Sequence, residues 1–284
     1  MANVLSTAKK VAVISALVEG CSVRPTSRMT DVAKGTILRL LAEMGKACAE
    51  HQNRVIRNIT AKRVQVDEIW SFCYAKEKNA TPKMWERVGY AGDVWTFTAI
   101  DAETKLVISW AVGRRDAGCA ADFLQDVAGR LANRIQLTTD GHKMYLTAVP
   151  DASGEEIDYA QLVKVFGNDP EGQKRYSPAQ CLGTQRSEVI GEPQPEHIST
   201  SYVERQDLNM RMKMRRFTRL TNAFSKKLDN HIAMIALFHT HYNFARVHQT
   251  LRVTPTMEAG LRSHVWSIAE IVTLTDRPAL IAAA

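Results

Sequence analysis

The stretch YVERQDLNMRMKMRRF, residues 202–217, decides how the chain is built. Met210, Met212 and Met214 alternate with Arg211, Lys213 and Arg215, as in a strand with one apolar face. Yet no β-branched residue follows Val203, and Met, Arg, Lys, Leu and Gln all favour helix. Wound at ~100° per residue, Val203, Met210, Met214, Phe217 and Thr221 form one stripe, with Gln206 and Asp207 at its edges. Glu204, Leu208, Arg211 and Arg215 share the adjacent face. The spacing predicts a helix continuing to about residue 221, with one acid at its head and bases further on. Intrahelical ion pairs account for most such faces. Here eight Lys/Arg stand against two acids between residues 204 and 227, which is more base than pairing needs.

Downstream, Phe224, Leu228, Ile232, Ile235, Phe238 and Tyr242 recur at spacings of three and four, so helix is expected to about residue 244. Upstream, residues 168–200 are rich in Gly, Pro, Gln and Ser and read as a long loop or insertion. Before that the period is that of strands. Segments 64–74, 94–100 and 105–113 are rich in Val, Ile, Thr, Trp and Phe, with hairpin-turn chemistry at 101–104. A helix at about 117–132, a strand at 135–139, a further helix and a strand at 159–166 follow. Three strands that then alternate with helices predict an α/β fold, a mixed sheet flanked by helices.

Residues 4–52 read as helices only. Val4 opens a first helix, Ser22 caps a second whose first turn tolerates Pro25, and Thr30-Asp31-Val32 makes a turn into a third. Two short helices joined by a tight turn, with small and basic residues opening the second, form a helix-turn-helix pattern, which an ordinary helical bundle shares. The domain organisation expected is 1–58 helix-turn-helix, 59–250 catalytic core with the 168–200 insertion, and 251–284 C-terminal extension.

With 284 residues the chain has room for two domains, and its net charge of +7 favours a polyanionic partner. The five cysteines form no C-x-x-C pair, which excludes zinc-ribbon and thioredoxin-like motifs. Lys9–Lys10 and the short apolar run after them resemble a signal peptide, but Glu19 interrupts that run and the helical reading uses it better. No stretch approaches the ~18 apolar residues of a membrane span. A cytoplasmic, nucleoid-associated protein is expected.

Three acids draw attention. Asp67 lies mid-strand in VQVDEIWSF, where a buried charge costs several kcal/mol unless paired or metal-bound; a solvent-facing Asp is the simpler alternative. Asp140 ends the strand IQLTTDG, where α/β sheets place ligands, and an Asx-turn or helix N-cap is the alternative. Glu204 heads the basic helix. Carboxylates from a first strand, a later strand end and a C-terminal helix can converge over one sheet edge and hold hard divalent cations. Asp93, Asp101 and Asp116 compete, but Asp101 sits in hairpin-turn sequence and Asp116 can cap the following helix. Glu68 is either an outer ligand or a solvated neighbour. His231, His239, His241 and His248 read as core or surface histidines rather than a metal cluster.

VDEIWSF, TTDGHKMY and SYVERQDLNMRMKMRRFTRLTNAFSK, in that order, resemble the DDE transposases of bacterial insertion sequences, most closely the IS-one type. So does Tyr242-Asn243-Phe244-Ala245-Arg246-Val247-His248-Gln249-Thr250-Leu251 followed by Thr254-Pro255. The resemblance covers residues from about 64 to 272, and its motifs are specific jointly. It implies a ribonuclease-H-like core with Asp67, Asp140 and Glu204 as the metal-binding and catalytic triad. Arg211 stands where many members carry a substrate-contacting base, with Arg215 one turn on. Two Mg²⁺ (or Mn²⁺) ions, double-stranded transposon-end and target DNA, and a homodimer or higher oligomer are implied, as is end cleavage followed by attack of the freed 3′-hydroxyl. Many IS-one-type proteins begin with a zinc-binding module; this chain has none, so end recognition falls to the helix-turn-helix, with Lys34, Thr36 and Arg39 facing DNA. A non-catalytic regulator or decayed transposase, and a structure-specific nuclease on the same core, are the alternatives.

Overall fold

The computed structural model describes residues 4–154, 156–167, 180–218 and 221–276. It contains a six-stranded sheet in the order β3-β2-β1-β4-β5-β6. The strands are β1 (Arg63–Cys73), β2 (Gly92–Asp101), β3 (Val107–Gly113), β4 (Gln136–Asp140), β5 (Asp158–Phe166) and β6 (Cys181–Ile190). The β2–β3 turn forms as expected, with Asp101 accepting from the backbone of Glu103 and Thr104 and from the Thr104 hydroxyl. β4 runs parallel to both β1 and β5, while β6 returns antiparallel to β5. This is the mixed sheet that was expected.

The residues fall into two compact units. One comprises Asn58–Glu68 and Phe97–Arg205. In it, α5 (Ala117–Ala128) lies against β3 and against α6 (Tyr145–Ser153), burying Phe97, Phe123, Leu124 and Val127. Asp116 caps α5, its carboxylate accepting the N–H of Cys119 at 2.9 Å, as its sequence position suggested.

The other unit holds the chain up to Arg57, Ile69–Thr96 and everything from Gln206. It contains α1 (Thr7–Val18), α2 (Val23–Thr30) and α3 (Lys34–Val55), and Asp31 makes the turn between α2 and α3 in the left-handed conformation. A short helix, α4 (Pro82–Val88), precedes β2. Two helices follow the sheet, α7 (Ser201–Lys213), which opens in the first unit, and α8 (Leu228–Thr240). α3 packs on α8, and Gln52 donates to Ala236 O at 3.0 Å and Thr240 Oγ1 at 2.8 Å. No helix among the described residues is long and apolar enough to cross a membrane.

The 202–217 stretch is helical in its first three-quarters, and its expected stripe is buried up to the half-buried Thr221: Val203 0%, Met210 0%, Met214 1% and Phe217 5% exposed. Two expectations need correction. The helix stops at Lys213, and the next α-helix among the described residues begins at Leu228. Between them residues Arg215–Phe217 form a 3₁₀ turn, and Ser225 bridges to Cys73, its carbonyl accepting Tyr74 N at 2.8 Å. The chain gives up helical bonds there for a pairing with the end of β1. The expected 168–200 loop also contains a strand, β6. Its residues are almost all exposed, so no in–out alternation marks them; backbone pairing with β5 holds them instead. Residues 168–179 of that segment, and 277–284 of the C-terminal extension, lie outside the described residues.

Candidate metal and nucleic-acid site

The β1–β4 register fixes the two strand acids. Pairs run from Arg63↔Gln136 to Val66↔Thr139, so the next residues are Asp67, midway along β1, and Asp140, the last of β4, side by side where the parallel pairing ends. Oxygens of Asp67, Glu68 and Asp140 all lie within 4.8 Å of one another. Glu204 arrives from α7, whose start is tied to the same strand: Gln65 Oε1 accepts the N–H groups of Tyr202 (2.8 Å) and Val203 (3.2 Å). Those are first-turn amides with no partner inside the helix, so Gln65 anchors the helix two residues before Asp67.

Each acid has defined partners. Asp67 Oδ1 accepts the backbone N–H of Glu68 at 2.8 Å. The Glu68 carboxylate is buried, taking the Tyr145 hydroxyl on Oε2 at 2.7 Å and Arg115 Nε on Oε1 at 2.5 Å. Arg115 Nη2 also reaches Asp140 Oδ2 at 3.5 Å, and Asp140 Oδ1 accepts His142 N at 3.0 Å. Glu204 stands outside the 4.8 Å cluster; Lys164 pairs with its Oε2, and Thr200 Oγ1 donates to its Oε1 at 2.5 Å.

The electrostatics follow from this crowding. Burial, then the charges of Glu68, Asp140 and Glu204, push the Asp67 carboxyl up to about 7, against the pull of the Glu68 N–H. Burial and then Asp140 raise Glu68, opposed by Tyr145 and Arg115. Burial keeps the His142 ring below its usual range, with Arg115 adding to the effect. Acids that repel one another this way gain most from a cation of high charge. The donor set, carboxylate oxygens alone, fits a hard divalent ion.

Sequence reasoning pointed to Asp67 and Asp140, which the structure brings together. It left Glu68 out as either an outer ligand or a solvated neighbour, and it passed over Arg115, Tyr145 and Lys164. Tyr145 ends the TTDGHKMY motif, which was the available signal for it. The residues expected to face DNA lie elsewhere in the chain. Lys34 and Arg39 are exposed and Thr36 half-buried at the start of α3, with Arg39 Nη2 3.5 Å from Thr36 Oγ1. Arg211 is half-buried on α7 and Arg215 exposed in the turn after it. Of the declined histidines, His231 and His239 are fully buried, and His231 is held by Ser71 (3.1 Å) and Ser225 (2.8 Å), an ordinary satisfied core site.

No protein-family profile and no curated protein matches the chain. Similar solved structures include a Mos1 strand transfer complex (14% identity, 52% of this chain and 54% of that one, TM-score 0.22). They also include a Mos1 transposase paired-end complex with the left transposon end (13%, 52% and 55%, 0.22). A pre-cleavage Mos1 transpososome gives 11%, 55% and 58%, and 0.23. The chain thus spans little more than half the length of these chains, and TM-scores this low do not establish a common fold.

Proposed function

We propose that the chain is a DDE-type transposase, with Asp67, Asp140 and Glu204 as its catalytic carboxylates and Glu68 as a further acid clustered with Asp67 and Asp140. The observation that carries this reading is the parallel register setting Asp67 beside Asp140, with the Glu204 helix anchored to the same strand through Gln65. The acids would hold one or two Mg²⁺ or Mn²⁺ ions. Bound there, such ions would supply activation of the attacking oxygen and stabilisation of the leaving oxygen in an in-line phosphoryl displacement.

The protein's own part is positioning. Tyr145 fixes Glu68, the Glu68 N–H fixes one oxygen of Asp67, and the His142 N–H fixes one of Asp140. A carboxylate locked by such bonds needs little reorganisation when the charge it faces changes. In this reading the start of α3 reads transposon-end DNA through Lys34, Thr36 and Arg39, and Arg211 and Arg215 take substrate phosphates. Two protomers would pair the two ends.

The test is cleavage and strand transfer on labelled element ends, with Mg²⁺ and with EDTA, for wild type, Asp140→Ala and Glu204→Ala. Metal-dependent joining should be lost in both variants by more than about a hundredfold while end binding persists. End binding without cleavage by the wild type would replace this reading with that of a DNA-binding regulator. Cleavage without joining would make it a nuclease.

A further inference from the structure

Three carboxylates meet at this site with Glu204 near enough to act on Asp67, and two of the chain's own bases already answer these acids. Arg115 contributes both Nε and Nη2 to Glu68 Oε1 at 2.5 Å and extends Nη2 to Asp140 Oδ2. Lys164, from β5, pairs with Glu204. Glu68 is wholly buried beneath its partner (0% against 33% for the Arg115 side chain), so the guanidinium, not water, balances that acid. Burying a carboxylate is tolerable only with such a partner.

We propose that Arg115 and Lys164 are stand-in cations: they occupy carboxylate oxygens that a divalent ion would take, and a full complement of metal requires their displacement. Ionised, Asp67, Glu68, Asp140 and Glu204 carry four negative charges, and the two bases return two positive ones. The remaining two match a single divalent ion. A second ion brings the site to neutrality only after both bases have left. The bases thus keep the cluster assembled without metal and make metal occupancy a competition within the chain.

This inference rests on reading the cluster as a divalent-cation site, and the two are separable by experiment. Mn²⁺ binding to the full-length protein is measured by calorimetry for wild type, Asp140→Asn, Arg115→Gln, Arg114→Gln and Lys164→Gln, with circular dichroism as the fold control. Arg115→Gln should tighten Mn²⁺ binding about tenfold or more, because a competitor has been removed. Arg114→Gln makes the same change in net charge one residue away, on an exposed side chain, and should change the affinity less than about twofold. Lys164→Gln should tighten binding in the same direction through Glu204, and carries the test if Arg115→Gln does not fold.

A purely structural Arg115 gives the opposite sign, since Glu68 would lose its orientation and binding would weaken. Unchanged or weaker binding in Arg115→Gln, with binding still abolished by Asp140→Asn, overturns the stand-in proposal and leaves the metal-site reading intact. Binding unaffected by Asp140→Asn overturns both.

Discussion

Asp67 turns one carboxylate oxygen back on its own chain, Oδ1 accepting the N–H of Glu68 at 2.8 Å, yet its carboxyl is still pushed up to about 7. The backbone bond lowers the value, and burial with three neighbouring acids overrides it. In the unfolded chain this acid loses its proton near 3.8; in the folded chain it keeps it until about 7. Between these values the folded state binds more protons, so this group's contribution to stability is full at low pH and is lost as pH rises through 7. Without metal, Asp67→Asn should raise Tm by about 2–4 °C at pH 8 and by much less near pH 4. Calorimetry in EDTA across that range checks it. A gap that narrows with rising pH would contradict the placement of Asp67.

The buried histidine works in the other direction. Burial, reinforced by Arg216, lowers His231 to about 3, and its ring is held neutral between Ser71 and Ser225. The unfolded ring takes a proton near 6.5, so its contribution is present above that value and lost as pH falls from 6.5 toward 3. His231→Gln should unfold more easily at pH 7.5, by about 2–4 kcal/mol, because a packed ring and two hydroxyl partners are lost. It should also show a shallower decline in stability between pH 6 and 4. Urea titrations at both ends of that range separate the two effects, and a parallel offset at every pH would rule out a neutral buried ring.

Tyr145 tests how Glu68 is held. Its hydroxyl, buried with the rest of the ring, donates to Glu68 Oε2 at 2.7 Å. Tyr145→Phe keeps the ring and removes only that donor, leaving a buried carboxylate oxygen short of a partner at a cost of about 1–3 kcal/mol. Urea unfolding should report that loss at pH 8. The deficit should shrink near pH 4, where Glu68 is protonated more readily than in the parent. Equal stability of variant and parent at pH 8 would show that Glu68 does not depend on Tyr145.

How far the sequence could be read depends on what marks each residue. Asp140 was visible because a strand end carries its own punctuation, Asp67 because a charge interrupts an apolar strand, and Glu204 because helical winding separates it from the Met210–Met214 stripe. The layer of bases was not visible. Arg115 pairs with residues 47 and 25 positions away, and Lys164 with one 40 positions away, distances at which no local pattern survives. β6 escaped because an exposed edge strand is held by its backbone, and composition describes only side chains. The break after Lys213 escaped for the reverse reason: its residues favour helix, and the pairing of Ser225 with Cys73, distant in sequence, competes with it.

Gly45 shows a glycine demanded by packing rather than by a turn. It lies within α3, and a Cβ there would stand 2.4 Å from both Cα and Cβ of Ala233 on α8. Neither atom belongs to a flexible side chain, so the helices must part. On helix propensity alone Gly45→Ala would stabilise by about 1 kcal/mol. The clash outweighs this, and a net loss of about 1–3 kcal/mol is expected in thermal or urea unfolding. A stabilised variant would mean that α3 and α8 are further apart than described.

The start of α3 tests the proposed DNA-binding role. Lys34 and Arg39 are both exposed there, and a base on such a helix either neutralises a phosphate or reads a base edge. Only the second depends on sequence. Lys34→Ala should weaken binding to element-end and unrelated duplexes alike and lower the salt slope by about one. Arg39→Ala should cost about 1–3 kcal/mol on the element end and little on unrelated DNA, relaxing preference at one base position. Fluorescence anisotropy with both duplexes at several salt concentrations distinguishes the two contributions. If both variants bind element ends as the parent does, α3 is only a structural helix, and end recognition must be sought on another face of the chain.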